Sequence, residues 1–266
     1  EQEQKRDRTK MNTHLRDKTM RRLNHSDDGA HMVLLGTMRI ARHKVEGRNV
    51  FFAFTHPKDT IQGTQARVGF YEPEELEIIR SAFPKGGRFI DIGANVGNHS
   101  LYVGLFLDPV EIVAIEPNPL VYKLFINNML LNGLEAVVDM SFLGMGMSET
   151  ASEGFGINFM ERNIGGGKLT EGKGDISTIR GDDMIGDRKA DFIKIDVEGM
   201  EMPVLRSLEA TIARDYPRFF VEVDNVNREE FDAWVEKNNY RKAANFKRYP
   251  PNENFLLIHE SDDFDG

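Results

Sequence analysis

The stretch Arg88 to Leu101, RFIDIGANVGNHSL, constrains the chain more than any other. Phe89, Ile90 and Ile92 surround Asp91 in an apolar run of the kind that forms a strand buried on both faces, which implies a parallel sheet covered by helices. Gly93 and Gly97 bracket Ala94, Asn95 and Val96. Glycines at such a turn let the backbone bend tightly and let a ligand come closer than a β-carbon permits. A helix is expected from about Asn98 through Phe106, and its unbonded first amides and positive dipole end favour an anionic group at the turn. The fold class is therefore α/β, with a nucleotide-type pocket at the end of a central strand.

Two kinds of pocket fit a strand, turn and helix. A dinucleotide fold wants G-x-G-x-x-G so that pyrophosphate lies against the backbone. This chain has G-A-N-V-G, with an acid two residues before the first glycine. That pattern suits a ligand with an amino acid head: Asp91 would meet an ammonium and the loop amides a carboxylate, both present in S-adenosylmethionine. The next strand is EIVAI, Glu111 to Ile115, and Glu116 stands at its end, about 20 residues past the glycine turn, where a ribose-binding acid is expected. Glu116 also fits as a cap for the helix that opens at Pro119.

The segments GFYEPEE (Gly69 to Glu75), FIDIGANVGNHS (Phe89 to Ser100), AIEPNP (Ala114 to Pro119) and DFIKIDVEGME (Asp191 to Glu201) stand in this order along the chain. Over about residues 65 to 225 the sequence resembles the FkbM family of S-adenosylmethionine-dependent methyltransferases. The resemblance implies a class I, Rossmann-like methyltransferase with a mostly parallel seven-stranded sheet flanked by helices. It also implies S-adenosyl-L-methionine as cofactor and methyl transfer to a hydroxyl of a sugar, glycan or natural product. Asn98 stands where such proteins often carry an acid, a departure that bears on the methionine head and not on the fold. The expected cofactor residues are Glu72, Asp91, Gly93, Asn95, Gly97, Asn98 and Glu116.

The 266 residues are 40% apolar, enough for one large α/β core. A formal charge of −9 argues against a general affinity for nucleic acid. The absence of cysteine excludes disulfides, thiolate metal sites and thiol nucleophiles. No apolar run is long enough to span a membrane and no signal-like start is seen, so a cytoplasmic protein is expected.

Residues 1–31 read as a polar, solvated arm. Residues 32–84 read as a cap, with short strands in MVLLGTMRIA and NVFFAF and a helix opened by Glu72, Pro73, Glu74 and Glu75. Tyr71 and Glu72 would lie over the cofactor, although acids at a helix start need no ligand. Residues 85–262 form the catalytic core and 263–266 a tail. Within the core, a helix from Pro119 should stop at Gly133 and a strand should run over Ala136 to Met140. In LGMGMS the methionines either line an adenine slot or fill core gaps. Residues 148–179 read as an inserted loop or hairpin, with Asn163 a candidate acceptor contact. Phe231 to Tyr240 reads as an amphipathic helix and NENFLLIH as a final strand.

The acceptor side is expected beyond FIKI, where Asp196, Glu198 and Glu201 cluster. A hydroxyl, with a pKa far above neutral, must lose its proton as it attacks, so Asp196 or Glu198 is the candidate base. Both also fit as an N-cap and a first-turn acid. Lys194 would tune or pair with these acids, and His99 is a further base candidate. Glu222, Asp224 and Asn225 end the next strand, and Asp196, Asp224 and Asn225 have the oxygen chemistry for Mg²⁺; the resemblance calls for no metal, and none is expected. The rivals are an NAD-dependent oxidoreductase, opposed by the missing glycine pattern, and a non-catalytic S-adenosylmethionine-binding module. A nucleic-acid base methyltransferase is opposed by Asp196-Val197-Glu198-Gly199, which lacks the usual prolines and aromatic.

Overall fold

The computed structural model describes residues 32–35, 38–160, 163–170, 172 and 174–264; the expected arm of residues 1–31 lies outside them. The chain opens with three antiparallel strands, β1 (Met32–Leu35), β2 (Met38–Val45) and β3 (Arg48–Phe54). Helices α1 (Thr60–Arg67) and α2 (Pro73–Ala82) follow, the second begun by a proline and two acids that suit a first turn.

The core then alternates strand and helix: β4 (Arg88–Ile92), α3 (Asn98–Phe106), β5 (Glu111–Glu116), α4 (Pro119–Leu131) and β6 (Val138–Leu143). After β7 (Met145–Met147), β8 (Ser152–Met160), β9 (Asn163–Thr170) and β10 (Ile176–Ile179) the chain returns through α5 (Gly181–Ile185) to β11 (Phe192–Ile195). Helices α6 (Glu201–Ser207) and α7 (Glu209–Asp215), strand β12 (Arg218–Asp224), helix α8 (Arg228–Lys237) and strands β13 (Tyr240–Phe246) and β14 (Asn252–His259) complete it.

Seven strands form one sheet in the order β13-β14-β12-β11-β4-β5-β6, parallel from β12 to β6 and antiparallel at β14 and β13. The strands FIDI, EIVAI and FIKI are buried on both faces, which is why they read as continuous apolar runs. Their register decides where the chemistry goes. Ile92 pairs with both Ile115 and Ile195, and Ile195 pairs with Val221. The next residues, Gly93, Glu116, Asp196 and Glu222, therefore emerge side by side at one sheet edge, where open α/β sheets bind ligands.

Two boundaries differ from expectation. The third parallel strand starts at Val138 because Val137 and Val138 turn back to the Leu134 carbonyl. The last helix ends at Lys237, before a left-handed Asn239 with φ of 56°, and Tyr240 opens a strand by stacking on Trp234. The segment 148–179 is part of a four-stranded sheet, β7-β10-β8-β9, more regular than a single hairpin. It is pinned to the core where Asn118 Nδ2 donates to the Ile164 carbonyl (2.8 Å) and the Ile164 amide donates to Asp59 (2.9 Å). The first sheet is held by α4 and its C-cap residue, the Asn128 and Asn132 side chains accepting from the Ala53 and Phe51 amides of β3.

Candidate active site

A cavity of about 400 Å³ opens at the edge where β4, β5, β11 and β12 end, within the range typical of small-molecule sites. Of the two expected glycines Gly93 lines it and Gly97 does not, and the reason for both lies elsewhere. A β-carbon on Gly93, at φ of 79°, would stand 1.8 Å from the Asp196 carbonyl oxygen; on Gly97, at φ of 87°, it would press on Phe125 and Met129 at 2.8 Å. Both glycines thus admit neighbouring protein segments. The loop amides are likewise engaged internally: Gly93 and Ala94 donate to the Ile115 carbonyl, Asn95 to Glu116 Oε2, Val96 to Asn95 Oδ1 and Gly97 to the Ala94 carbonyl. Only the first-turn amides of α3, which have no carbonyl in their own helix, fit the anion-binding role.

Asn98 is buried, and its amide does what a carboxylate cannot. It accepts from the Tyr71 amide (2.9 Å) and Gln65 Nε2 (3.2 Å) and donates to the Tyr71 carbonyl (2.7 Å). It therefore clamps the segment carrying Tyr71 and Glu72 over the cavity. Glu72, left-handed at φ of 59°, lines the cavity. Burial, with Asp196 and Glu75 nearby, pushes its carboxyl up to about 8. His99 Nε2 lies 3.8 Å from Glu72 Oε2 and, buried, has no hydrogen-bond partner among the described residues. Burial, then Lys194, draws His99 down to about 4, so the imidazole is neutral at physiological pH and a weak base.

Asp91 is placed differently from the role expected of it. It is fully buried and does not line the cavity. Its carboxylate accepts from Ser100 Oγ (2.6 Å) and lies 3.3 Å from Lys194 Nζ, its register partner on β11. Lys194 also donates to the Gly93 carbonyl (2.8 Å) and stands 3.5 Å from Asp196. Burial alone would lower the Lys194 pKa, but Asp91, Asp196 and Glu72 outweigh it and hold the ammonium charged. Glu116 accepts from the Asn95 and Asn118 amides, both at 2.8 Å, and burial still pushes it up to about 7.

Asp196 and Glu198 both line the cavity, and neither caps a helix. Helix α6 begins only at Glu201, after Glu198 and Gly199 turn through left-handed φ of 51° and 95°. Glu201 takes the local capping role by accepting from the Gly199 amide (2.8 Å). Of the three residues with the oxygen chemistry for Mg²⁺, Asp196 lines the cavity and Asp224 and Asn225 do not: Asp224 accepts from the Val226 amide and Asn225 donates to the Pro250 carbonyl. Among the described residues no group of three or more His, Asp or Glu is arranged to hold a metal ion.

Residues 91–242, more than half of the chain, match the Methyltransferase FkbM domain. The chain belongs to that family. Of solved structures, methyltransferase FkbM from Methylobacillus flagellatus KT is 17% identical, covering 65% of this chain and 44% of its own, with a TM-score of 0.47. TYW2 of M. jannaschii, solved in complex with AdoMet, is 15% identical over 85% of this chain and 87% of its own, with a TM-score of 0.45. The B. subtilis tRNA methyltransferase TrmK is 14% identical over 70% of this chain and 65% of its own, with a TM-score of 0.44. No curated protein matches.

Two parts of this FkbM domain's cavity escaped the sequence reading. Glu222 was visible as a strand-end acid, but its contact with Asp196 was not. The turn between β13 and β14 brings Tyr249, Pro250 and Pro251 to the cavity, where Tyr249 and Tyr71 share a hydroxyl hydrogen bond (2.7 Å) across 178 positions. Arg248 fastens this turn to α2, donating to fully buried Glu75 at 2.6 and 2.9 Å. Arg248→Met should leave Glu75 uncompensated and lower stability by about 1 to 3 kcal/mol, measured by urea unfolding.

Proposed function

We propose that this FkbM domain binds S-adenosyl-L-methionine and moves its methyl group to a hydroxyl of a sugar, glycan or natural-product acceptor. The observation carrying this reading is the strand register, which sets a ribose-type acid, Glu116, and a candidate base, Asp196, around one cavity. The residues present fit the cofactor. His99 Nε2 is a buried polar atom awaiting a partner, Glu72 offers a carboxyl to an ammonium, and Glu116 keeps lone pairs for ribose hydroxyls. An adjoining cleft lined by Glu116, Gly146, Met147 and Val197 suits a flat apolar ring. Gly93, Asn95, Gly97 and Asn98 shape this pocket, and Asp91 supports it through Lys194 and Ser100.

Bound there, the cofactor supplies an electrophilic methyl on a sulfonium. The protein's part is to orient the acceptor oxygen and take its proton, with Asp196 the first candidate and Glu198 the second. Residues 32–84 act as the cap over this site and 85–262 as the core. Among the described residues no helix is long and apolar enough to cross a membrane.

Glu116→Ala should weaken S-adenosylhomocysteine binding at least about tenfold in calorimetry, the worth of one charge-assisted contact. Unchanged affinity rejects the pocket. Proton linkage gives a second check. Glu72 titrates near 8 in the free protein, and an ammonium beside it stabilises the ionised form. Binding near pH 7 should therefore release a proton, and affinity should rise with pH up to about 8, at most tenfold per pH unit. Calorimetry in phosphate and Tris buffers counts the protons; zero release removes Glu72 from the ammonium contact.

A further inference from the structure

We infer that Glu222 is a positioning residue for methyl transfer, sharing one proton with Asp196 and thereby aiming the Asp196 carboxylate at the acceptor. This rests on the proposed role of Asp196 as the base. Geometry brings the two together: Ile195 and Val221 are register partners on parallel strands, so Asp196 and Glu222 leave the sheet as neighbours, and both line the cavity. Their carboxyls stand within hydrogen-bonding reach of each other. Ionised carboxylates only accept hydrogen bonds, so a carboxyl-carboxyl bond requires a proton between them.

The surroundings decide which partner holds it. Lys194 Nζ stands 3.5 Å from Asp196 and favours charge there. Glu222 is faced by Asp196, Glu72 and Glu198, all acids, and is itself partly buried. Burial and these neighbours hold its carboxyl far above the usual carboxylate range. Asp196 also acts on Glu72, Glu116 and His99, the last neutral at physiological pH. With the proton on Glu222, one Asp196 oxygen is held by that donor. The other oxygen is left for the acceptor hydroxyl, whose proton would pass to Asp196 as the carbon-oxygen bond formed and the methyl's bond to the sulfonium broke, its electron pair leaving with the thioether sulfur. Glu222 keeps its proton throughout.

The test compares wild type with Glu222→Gln, which keeps a donor, and Glu222→Ala, which does not. Infrared difference spectra of wild type minus Glu222→Gln at pH 7.5 should show a carboxylic acid carbonyl band; no such band places the proton elsewhere and overturns the inference. In turnover of labelled S-adenosylmethionine with host extract, Glu222→Ala should lower kcat by about 10- to 100-fold, with S-adenosylhomocysteine affinity unchanged. Glu222→Gln should lose several-fold less and should lack the alkaline limb that wild type shows as Glu222 deprotonates. Equal losses in the two variants, or an alkaline limb kept in Glu222→Gln, refute the shared proton. Asp196→Asn made in parallel separates the two readings: full turnover there removes the base, whereas the infrared band reports on Glu222 independently.

Discussion

Asp196→Asn is expected to lower methyl transfer by about 10²- to 10⁴-fold, the range for loss of a positioned general base, while S-adenosylhomocysteine binds within about twofold of wild type. The substitution is isosteric and keeps the backbone contacts that hold the turn. Its amide donates to the Ile92 carbonyl (3.0 Å), and its own carbonyl fills the space beside Gly93. Lys194 keeps Asp91 and the Gly93 carbonyl as partners, so the buried cation is not stranded. The side chain is 32% exposed, open enough to meet an acceptor that enters the cavity. Labelled cofactor incubated with host extract gives the assay, and the labelled product names the acceptor. Full turnover in Asp196→Asn would pass the role to Glu198, tested next as Glu198→Gln.

Lys194→Met should cost about 3 to 5 kcal/mol of stability, because removing one partner of a buried pair leaves the other charge uncompensated. The pair is deep: Lys194 is 3% exposed and Asp91 not at all. Urea unfolding followed by circular dichroism measures the loss. A second variant isolates the cause, since Asp91→Asn combined with Lys194→Met removes both charges and should recover part of the deficit. Equal instability of the single and double variants would place the damage in packing.

The parallel strands could be read from sequence because burial on both faces demands unbroken apolar runs, and FIDI, EIVAI and FIKI supply them. The location of the cavity followed, since ligands in such sheets gather beyond the strand ends. The reasons behind particular residues were less legible. Gly93 looked like an opening for a ligand, yet the atom it admits is the Asp196 carbonyl, about 100 positions away in sequence. Asp91 looked like a ligand residue, although a signal for its pairing was present: an acid and a lysine occupy the same position in FIDI and FIKI, which become neighbouring strands. Asn98 seemed a departure from an acid, and its meaning depended on a tyrosine backbone that only folding brings within reach. The Tyr249 turn carried no local mark of a cavity, because its partner Tyr71 stands 178 positions away in sequence.

Helix α4 has contacts at both ends that bear on how the site is held. Near its start, Asn118 touches Glu116 and the four-stranded sheet; toward its end, Asn128 and Asn132 grip the first sheet. One rod of 13 residues thus spaces Glu116 from the first sheet. Lengthening or shortening it by a residue would rotate one set of asparagines away from its partners, so the contacts at its two ends fix its length.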